Sequence, residues 1–492
     1  MKIFAKKPIE VLLAQAAEQG EHTLKRSLGP VSLTALGIGS VIGAGIFVLT
    51  GQAAEAHAGP AITISFIIAG LVCALAALCY AELASTIPVA GSAYTYAYAT
   101  VGEFFAWIIA WDLIVEYLFA GATVAVGWSG YFVGMMADLG VIIPAAWSQA
   151  PYLVNDAHQL VATGAILNVP AMAIIAITAA VLIAGITESA LFNNAIVLLK
   201  VSVVLLVIIF GFLYVNPANW QPFIPAETTD PVTGASKYGL GGIFAAAGVI
   251  FFAYIGFETI STAAQETKNP QRTLPIGILA SLAICTVLYI LMSLVITGLA
   301  PYTMLNVPAP VYVAVDNVGP QLAWLKPVVT IGATVGLAST IMALLYGQSR
   351  IFYAMSRDGL LPPIFSKVHP RRRTPWAGTA LTAIFAGLMA GLFPIGLLGE
   401  LVSVGTLLAF SMICGAVLYL RISRPDLPRA FKTPLVWLVA PGGMLACLYL
   451  ISSLPAATFV RLVVWLVIGI AVYFGYAYWH SRYHEKTLGA GQ

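Results

Sequence analysis

The chain has 492 residues, of which 60% are hydrophobic and only 9% are charged. Soluble proteins carry about 25% charged residues, so these figures exclude a soluble, a disordered or a disulfide-rich secreted protein and indicate a chain that lies mostly in lipid. The net charge of +3 is too small to indicate binding to nucleic acid.

Twelve stretches of the chain are apolar enough, and close enough to the roughly 20 residues required, to cross a bilayer as helices. We call them spans one to twelve, and they cover residues 31–56, 60–87, 103–137, 166–187, 192–214, 239–264, 275–299, 323–355, 376–394, 396–420, 433–453 and 455–480. The pattern predicts an all-α membrane protein with twelve transmembrane helices, a polar segment before them (1–26) and a tail after them (481–492).

Lysine and arginine collect at one end of the predicted bundle. That end carries Lys2, Lys6, Lys7, Lys25, Arg26, Lys268, Arg272, Arg350, Arg357, Lys367, Arg371, Arg372, Arg373, Arg421, Arg424, Arg429, Lys432, Arg482 and Lys486. The long loop 138–165 at the other end contains neither residue type. Since basic loops stay in the cytoplasm, we expect both termini there and a multi-pass protein of the plasma or inner membrane.

Two of the spans contain features that disfavour a continuous helix. Span one has four glycines within nine residues, from Gly37 to Gly45. In span six, Gly256 is followed by an acid, Glu258, inside an apolar run. Transporters hold substrate near the membrane midplane at helices broken in corresponding positions of two inverted repeats.

Spans one and six are the first members of two groups of five. The pattern therefore predicts a five-plus-five inverted repeat, with one repeat in residues 27–216 and the other in 217–432. The last two helices, in residues 433–480, would be additions outside the repeat.

Broken helices of this kind suit an amino acid. The amino end of a half-helix presents N–H groups and a positive dipole end, which favour a carboxylate. Free carbonyls at the opposing half-helix end favour an ammonium group. Close packing of helices through small residues is the alternative explanation for Gly43 and Gly45, and on these two glycines alone the two are equally plausible.

Four longer motifs point to a known family. They lie at Gly39–Gly51, Ala81–Trp111, Phe251–Pro275 and Ser349–Pro362, in order and at the ends or breaks of spans. With the twelve-span layout, they make the chain resemble the amino acid–polyamine–organocation (APC) superfamily of transporters. That resemblance implies the inverted-repeat fold, alternating access and substrate held by backbone of spans one and six.

Two further motifs resemble bacterial homologues of the cationic amino acid transporters, of the ApcT type. They are Trp111–Tyr117 in span three and Phe192–Lys200 in span five. The animal cationic transporters have fourteen spans, whereas twelve are predicted here. The preferred charge of the substrate is therefore left open between cationic and small neutral amino acids.

The resemblance also implies a set of substrate-binding residues. The carboxylate side of this set is Ile42, Gly43, Ala44 and Gly45, and the ammonium side is Phe252, Ala253, Ile255 and Gly256. Within it, Phe252 matches a position that is often a gating aromatic residue, and Gly256 would keep the unwound segment open. Glu258 matches an acid of the gate region.

Lys200 is the strongest candidate for proton coupling. It lies about eight residues into span five, and an ionisable residue at that depth is costly unless it has a function. Burial disfavours its charged form, so a modest change of surroundings can load or release a proton. The resemblance implies that its ammonium replaces the ion of sodium-coupled relatives, facing carbonyls near Gly43 and the hydroxyls of Ser339 and Thr340. A lysine that reaches the membrane surface is the alternative.

Other polar residues in the spans have less specific roles. Glu116 lies one turn after Asp112 on span three, and we expect a polar tie between helices there, with a second protonatable group as the alternative. Met342 in span eight is a candidate for lining the side-chain end of the pocket, although methionine more often serves packing.

Other classes of function find little support. The six histidines are scattered, the five cysteines form no C-x-x-C pair, and no P-loop is present, so we expect no enzyme, no metal and no cofactor. A channel is a distant alternative, because no selectivity loop is apparent.

The predicted function is proton-coupled symport of L-amino acids into the cell, with amino acid or polyamine exchange as the alternative. The expected partners are an L-amino acid, a proton and the lipid bilayer, without nucleic acid. Neither a small accessory membrane subunit nor a bound sterol can be read from the sequence.

Overall fold

The computed structural model describes residues 5–8, 28–89, 92–154, 160–185, 190–229, 236–369, 372 and 374–482. Of the predicted polar segment 1–26 only 5–8 lie within the described residues, and of the tail 481–492 only 481 and 482.

Most of the described chain is helical, as its composition predicts. The α-helices are Pro30–Val41, Thr50–Ala53, Ile62–Thr86, Ser92–Thr100, Glu103–Asp138, Val169–Ala184, Ala190–Phe212, Gly239–Ile250, Pro270–Leu299, Pro310–Asn317, Leu325–Arg357, Trp376–Leu392, Ile395–Ser423, Val436–Ser452, Ala456–Val472 and Tyr478–His480. Short 3₁₀ and π-helical turns continue several of them, most extensively in residues 45–61 and 251–266.

Eight helical stretches in the described residues are long and apolar enough to cross a membrane, by length and composition. They are Gly45–Thr86, Glu103–Asp138, Asn194–Phe212, Gly239–Ser261, Pro270–Leu299, Leu325–Arg357, Ile395–Ser423 and Ala456–His480. Four shorter apolar helices are Pro30–Val41, Val169–Ala184, Trp376–Leu392 and Val436–Ser452.

Every predicted span overlaps one or more of these helices, and we number the helical segments one to twelve after the spans that they overlap. The helix after the break of segment one runs on into segment two without a loop, as a stretch of 42 residues that turns at Gly59. The number of membrane crossings stays a prediction.

Two short antiparallel hairpins lie in loops and depart from the all-α expectation. Tyr152–Val154 pairs with Leu160–Ala162, and Thr228–Thr229 pairs with Ser236–Lys237. Strands of two or three residues are too short to show an alternating pattern, so the sequence does not predict them. The fold is therefore predominantly helical.

Segment three is bound tightly to segment twelve by tryptophans. The indole N–H of Trp107 donates to the carbonyl of Gly469 at 2.9 Å. Trp111 and Trp465 donate to each other's carbonyl, at 2.9 and 3.2 Å, and their rings stack with centroids 4.5 Å apart. These two segments therefore form one rigid unit at this point.

Residues 5–8, here called the amino-terminal strap, cross the end of the bundle where the basic residues collect. The carbonyl of Ala5 accepts from the N–H of Glu103 at 2.9 Å, and Lys7 N donates to the carbonyl of Tyr98 at 3.2 Å. The Lys7 ammonium also pairs with Asp358 at 3.3 Å. The strap thus joins the beginning of segment three to the end of segment eight.

A buried ion-pair cluster lies at the same end. Glu82 of segment two accepts from two nitrogens of Arg421 of segment ten, each at 2.8 Å, and Arg429 pairs with it at 3.1 Å. The backbone N–H of Thr433 donates to the same carboxylate at 2.8 Å. The side chain of Glu82 is only 3% exposed, so this carboxylate depends on these partners.

We expect Glu82→Ala to lower the free energy of unfolding by about 3 kcal/mol, because it leaves Arg421 and Arg429 without their buried counter-charge. Asp316→Ala is the matched control, since it removes an ion pair with Lys326 whose acid is 55% exposed and should cost less than about 1 kcal/mol. The measurement is the thermal unfolding midpoint of both variants in detergent. Equal shifts would show that the cluster is no more important than a surface pair.

Candidate functional site

Segment one is broken at Ile42 and Gly43. The first half-helix ends at Val41, and Ile42 takes an extended conformation with φ −72° and ψ 98°. Helical structure resumes at Ala44 and continues as the π-helical turn Gly45–Leu49. The break therefore exposes the last carbonyls of one half-helix and the first N–H groups of the next.

Segment six is broken in a similar way. Its first helix ends at Ile250 and is followed by one 3₁₀ turn, Phe251–Tyr254. Ile255 is extended, with φ −61° and ψ 137°, and Gly256 has φ +122°. That φ lies in a region that favours glycine, so the residue type at 256 is fixed by the backbone.

The two breaks lie directly against each other. A Cβ atom added to Gly45 would lie 2.5 Å from Cα of Ala253, and one added to Gly256 would lie 2.7 Å from the carbonyl carbon of Ser40. The hydroxyl of Thr259 also donates to the hydroxyl of Ser40 at 3.1 Å. Bare backbone is therefore required on both sides of this contact.

The other glycines of segment one have a different role. Gly37 and Gly39 lie within the first helix, where Gly37 packs against Ile260 and Ser281 and Gly39 packs against Val197. Close packing of helices thus explains these two glycines, whereas the break lies at Gly43.

Two side chains that the sequence does not single out bind backbone groups at the breaks. The Tyr289 hydroxyl of segment seven lies 2.8 Å from the carbonyl of Val41 and 2.6 Å from that of Ala253. The Ser403 hydroxyl of segment ten donates to Val249 O and accepts from Phe252 N, at 2.7 and 3.1 Å.

Glu258 binds an exposed backbone group at the break of segment six. Its carboxylate accepts from the backbone N–H of Gly256 at 2.8 Å, and the residue is fully buried. The acid predicted near the gate therefore acts within its own segment, as a partner for the N–H that the break leaves exposed.

Lys200 lies beside the break of segment one. Its ammonium donates to Gly39 O at 2.9 Å, to Ile42 O at 3.1 Å and to the Thr340 hydroxyl at 2.9 Å. The residue is 1% exposed. The lysine thus joins segment five to segments one and eight in the interior.

Three further predicted residues lie on segment eight. Thr340 donates to Gly336 O at 3.1 Å and lies 3.0 Å from a Cβ added to Gly43, while Ser339 donates to the same Gly336 carbonyl at 2.9 Å. Met342 is half-buried on the same helix.

Glu116 is fully buried. It neighbours Thr406, and its carboxyl group interacts electrostatically with Glu258 and Asp112. Asp112 packs against Gly405, one residue before Thr406. This position agrees with either a polar tie or a second protonatable group.

A cavity of about 1710 Å³ lies next to the breaks, on the side of the loop 139–168. Its lining includes Leu49 and Val249, which lie about one turn from Gly45 and Phe252. None of the predicted substrate-binding residues is among the described residues that line it. This cavity, which we call the chamber, thus lies next to the broken helices. It extends to the protein surface near the exposed Leu240.

Residues 28–478 match the family described as amino acid permease. The chain belongs to this family. It is therefore an APC-type transport protein of the membrane and no enzyme, as the motifs of segments one, two, six and eight predicted.

Three relatives illustrate the range of the family. A methylthioribose transporter of Bacillus subtilis is 46% identical over 97% of this chain and 98% of its own length. A branched-chain amino acid permease of the same organism is 46% identical over 98% of this chain and 99% of its own. A vacuolar cationic amino acid transporter of Arabidopsis thaliana is 39% identical over 83% of this chain and 65% of its own.

We expect Gly256→Ala to weaken binding of labelled amino acid by at least about tenfold, because the added Cβ meets Ser40 backbone and the φ of +122° disfavours any L side chain. Gly121→Ala is the control, since a Cβ there meets no atom within 4 Å. Equilibrium binding in detergent measures the effect, and gel filtration shows whether each variant is folded. Wild-type affinity in a folded Gly256→Ala variant would contradict a binding role for this break.

Proposed function

We propose that this protein is a proton-coupled symporter that brings L-amino acids, cationic, small neutral or both, into the cell by alternating access. The observation that carries the proposal is the direct contact between two broken helices, with a buried lysine bound to one of them. Its relatives named as amino acid permeases and cationic amino acid transporters support the substrate class.

The substrate's backbone groups match the two breaks. The first turn after Ile42 offers the N–H groups of Gly43, Ala44 and Gly45 to a carboxylate, at the positive end of a half-helix. The carbonyls of the turn Phe252–Ile255 offer acceptors to an ammonium group. Neither set contacts the substrate side chain, so one site can accept several amino acids.

The geometry at Lys200 gives a reason for proton coupling. A protonated lysine has three N–H donors, and here three acceptors surround it: two carbonyls of segment one and the Thr340 hydroxyl. Loss of the proton leaves two donors and a lone pair that faces these oxygens. The link between segments one, five and eight is then weaker, and we propose that this lets segment one move.

The predicted architecture provides the moving parts. We propose that twelve spans cross the membrane, that residues 27–216 and 217–432 form inverted repeats, and that segments eleven and twelve (433–480) lie outside them. With both termini in the cytoplasm of the plasma or inner membrane, the chamber of about 1710 Å³ would open to the outside and admit substrate.

A second candidate substrate comes from the relative named as a methylthioribose transporter. Methylthioribose is a neutral thioether sugar whose hydroxyl groups can donate to the same carbonyls, but it has neither an ammonium nor a carboxylate. It would use the breaks less fully than an amino acid, which is why we place it second. Exchange of amino acids without net proton uptake is the alternative mechanism.

Uptake into proteoliposomes tests the proposal. Labelled alanine, leucine, arginine and methylthioribose are offered without sodium under an inward proton gradient, which is then removed by an uncoupler. We expect at least one amino acid to accumulate under the gradient, and we expect the uncoupler to abolish this accumulation. Accumulation only into vesicles preloaded with amino acid would indicate exchange, and accumulation of methylthioribose alone would favour the second candidate.

We expect Lys200→Ala to reduce accumulation driven by the proton gradient to the level of uncoupled wild-type vesicles, because the variant lacks the proposed proton carrier beside the break of segment one. Lys326→Ala is the control, since this lysine pairs with the exposed Asp316 at the protein surface. Initial rates with and without the gradient are compared for both variants. Gradient-driven accumulation by Lys200→Ala at the wild-type level would remove this lysine from the coupling mechanism.

A further inference from the structure

Tyr289 has a hydroxyl within hydrogen-bond distance of a carbonyl on each of the two broken helices. It lies on segment seven and is fully buried, with its ring against Phe66 and Tyr254 at centroid distances of 5.4 and 5.3 Å. The ring is thus held by packing, and its hydroxyl is fixed between Val41 O and Ala253 O. One hydroxyl group therefore lies within reach of two carbonyl acceptors.

A phenol has a single proton to donate. Both carbonyls lie within hydrogen-bond distance of its oxygen, at 2.8 Å for Val41 and 2.6 Å for Ala253, yet only one of them receives the proton at any moment. Each carbonyl lies at the end of a helical turn, where the following N–H groups no longer continue the helix. The carbonyl that the phenol leaves can be satisfied by another donor.

On the proposed function, that other donor is the substrate, because Ala253 O belongs to the turn that faces its ammonium group. We propose that Tyr289 is a positioning residue that reports occupancy of the segment-six break to segment one. In the empty site its proton is donated mainly to Ala253 O, the closer carbonyl. When the substrate ammonium donates to Ala253 O, the Tyr289 hydroxyl donates to Val41 O instead. This hydrogen bond stabilises the first half-helix of segment one in the substrate-bound arrangement.

This exchange has a specific energetic consequence. In the wild-type protein the substrate must displace the phenol from Ala253 O, which costs some affinity, but the new bond to Val41 O stabilises the bound arrangement of the helices. Without the hydroxyl, Ala253 O lacks that donor in the empty site and accepts the ammonium at least as readily. Val41 O then lacks its donor in the bound state, so the step that follows binding becomes slower.

The test is Tyr289→Phe, which removes one oxygen and keeps the ring. Tyr473→Phe is the control, because that phenol of segment twelve is also fully buried and donates at 3.0 Å to Glu103 rather than to either break. Binding of labelled alanine is measured in detergent, and the rate of uptake at saturating alanine is measured in proteoliposomes, both per amount of folded protein.

We expect Tyr289→Phe to bind alanine with unchanged or up to about threefold higher affinity, and to lower the saturating uptake rate by about two- to tenfold, the range set by one buried hydrogen bond. Tyr473→Phe should leave both quantities unchanged. A hydroxyl with a merely structural role would affect stability in both variants alike and would not separate affinity from rate. An unchanged rate in Tyr289→Phe, or an affinity reduced by more than about threefold, would overturn the inference.

A second measurement uses the wild-type protein, in case Tyr289→Phe does not fold. Alanine should slow hydrogen–deuterium exchange in the peptide around Val41, whereas lactate, which has a hydroxyl in place of the ammonium, should slow it much less. Equal protection by both would count against the proton switch. Failure of the wild-type protein to bind any amino acid would instead contradict the proposed function, and the inference with it.

Discussion

A helix broken inside a membrane exposes backbone N–H and C=O groups that no solvent can satisfy. At this site, polar side chains bind several of these exposed groups. Lys200 binds two carbonyls on segment one, and Tyr289 binds one carbonyl on each break. Ser403 and Glu258 serve segment six. These partners come from segments five, seven, ten and six, so the breaks join segments one, five, six, seven and ten.

The joins at the breaks differ in kind from those elsewhere in the molecule. At the breaks, single polar groups contact bare backbone, and on the proposed function these bonds can be exchanged for bonds to substrate or proton. By contrast, the stacked indoles of Trp111 and Trp465 join segments three and twelve, and the buried carboxylate of Glu82 joins segments two and ten. Both links lie away from the breaks. On the proposed function, alternating access would use the exchangeable bonds at the breaks, while the links at Trp111 and Glu82 hold the segments around them together.

The sequence predicted those parts of the site that have a strong local signal. Glycines clustered in an apolar span, an acid after Gly256 and a lysine deep in span five are each rare in a membrane helix, so their positions could be identified without a structure. Even so, the sequence could not separate Gly43 at the break from Gly37 and Gly39 in the helix, because all three are small and only tertiary contacts distinguish them.

Tyr289 and Ser403 could not have been predicted in the same way. Hydroxyl-bearing residues are common in apolar helices, where they usually bond to the carbonyl one turn back, as Thr297 does here. Which of them turns toward another segment depends on helix packing that the pattern along one helix does not encode. The two hairpins were missed for a related reason, since two or three residues are too few for a periodic pattern.

The width of the chamber beside the breaks bears on how this transporter can be blocked. Its volume of about 1710 Å³ exceeds the roughly 300–1,000 Å³ of ordinary small-molecule pockets, and Glu55, Lys237 and Glu400 give its lining charges of both signs. On the proposed function this chamber admits substrate, so a compound lodged there would obstruct uptake without imitating the substrate. Inhibitors of this protein can therefore be considerably larger than its substrates, and their selectivity among related permeases would come from the chamber lining rather than from the backbone site.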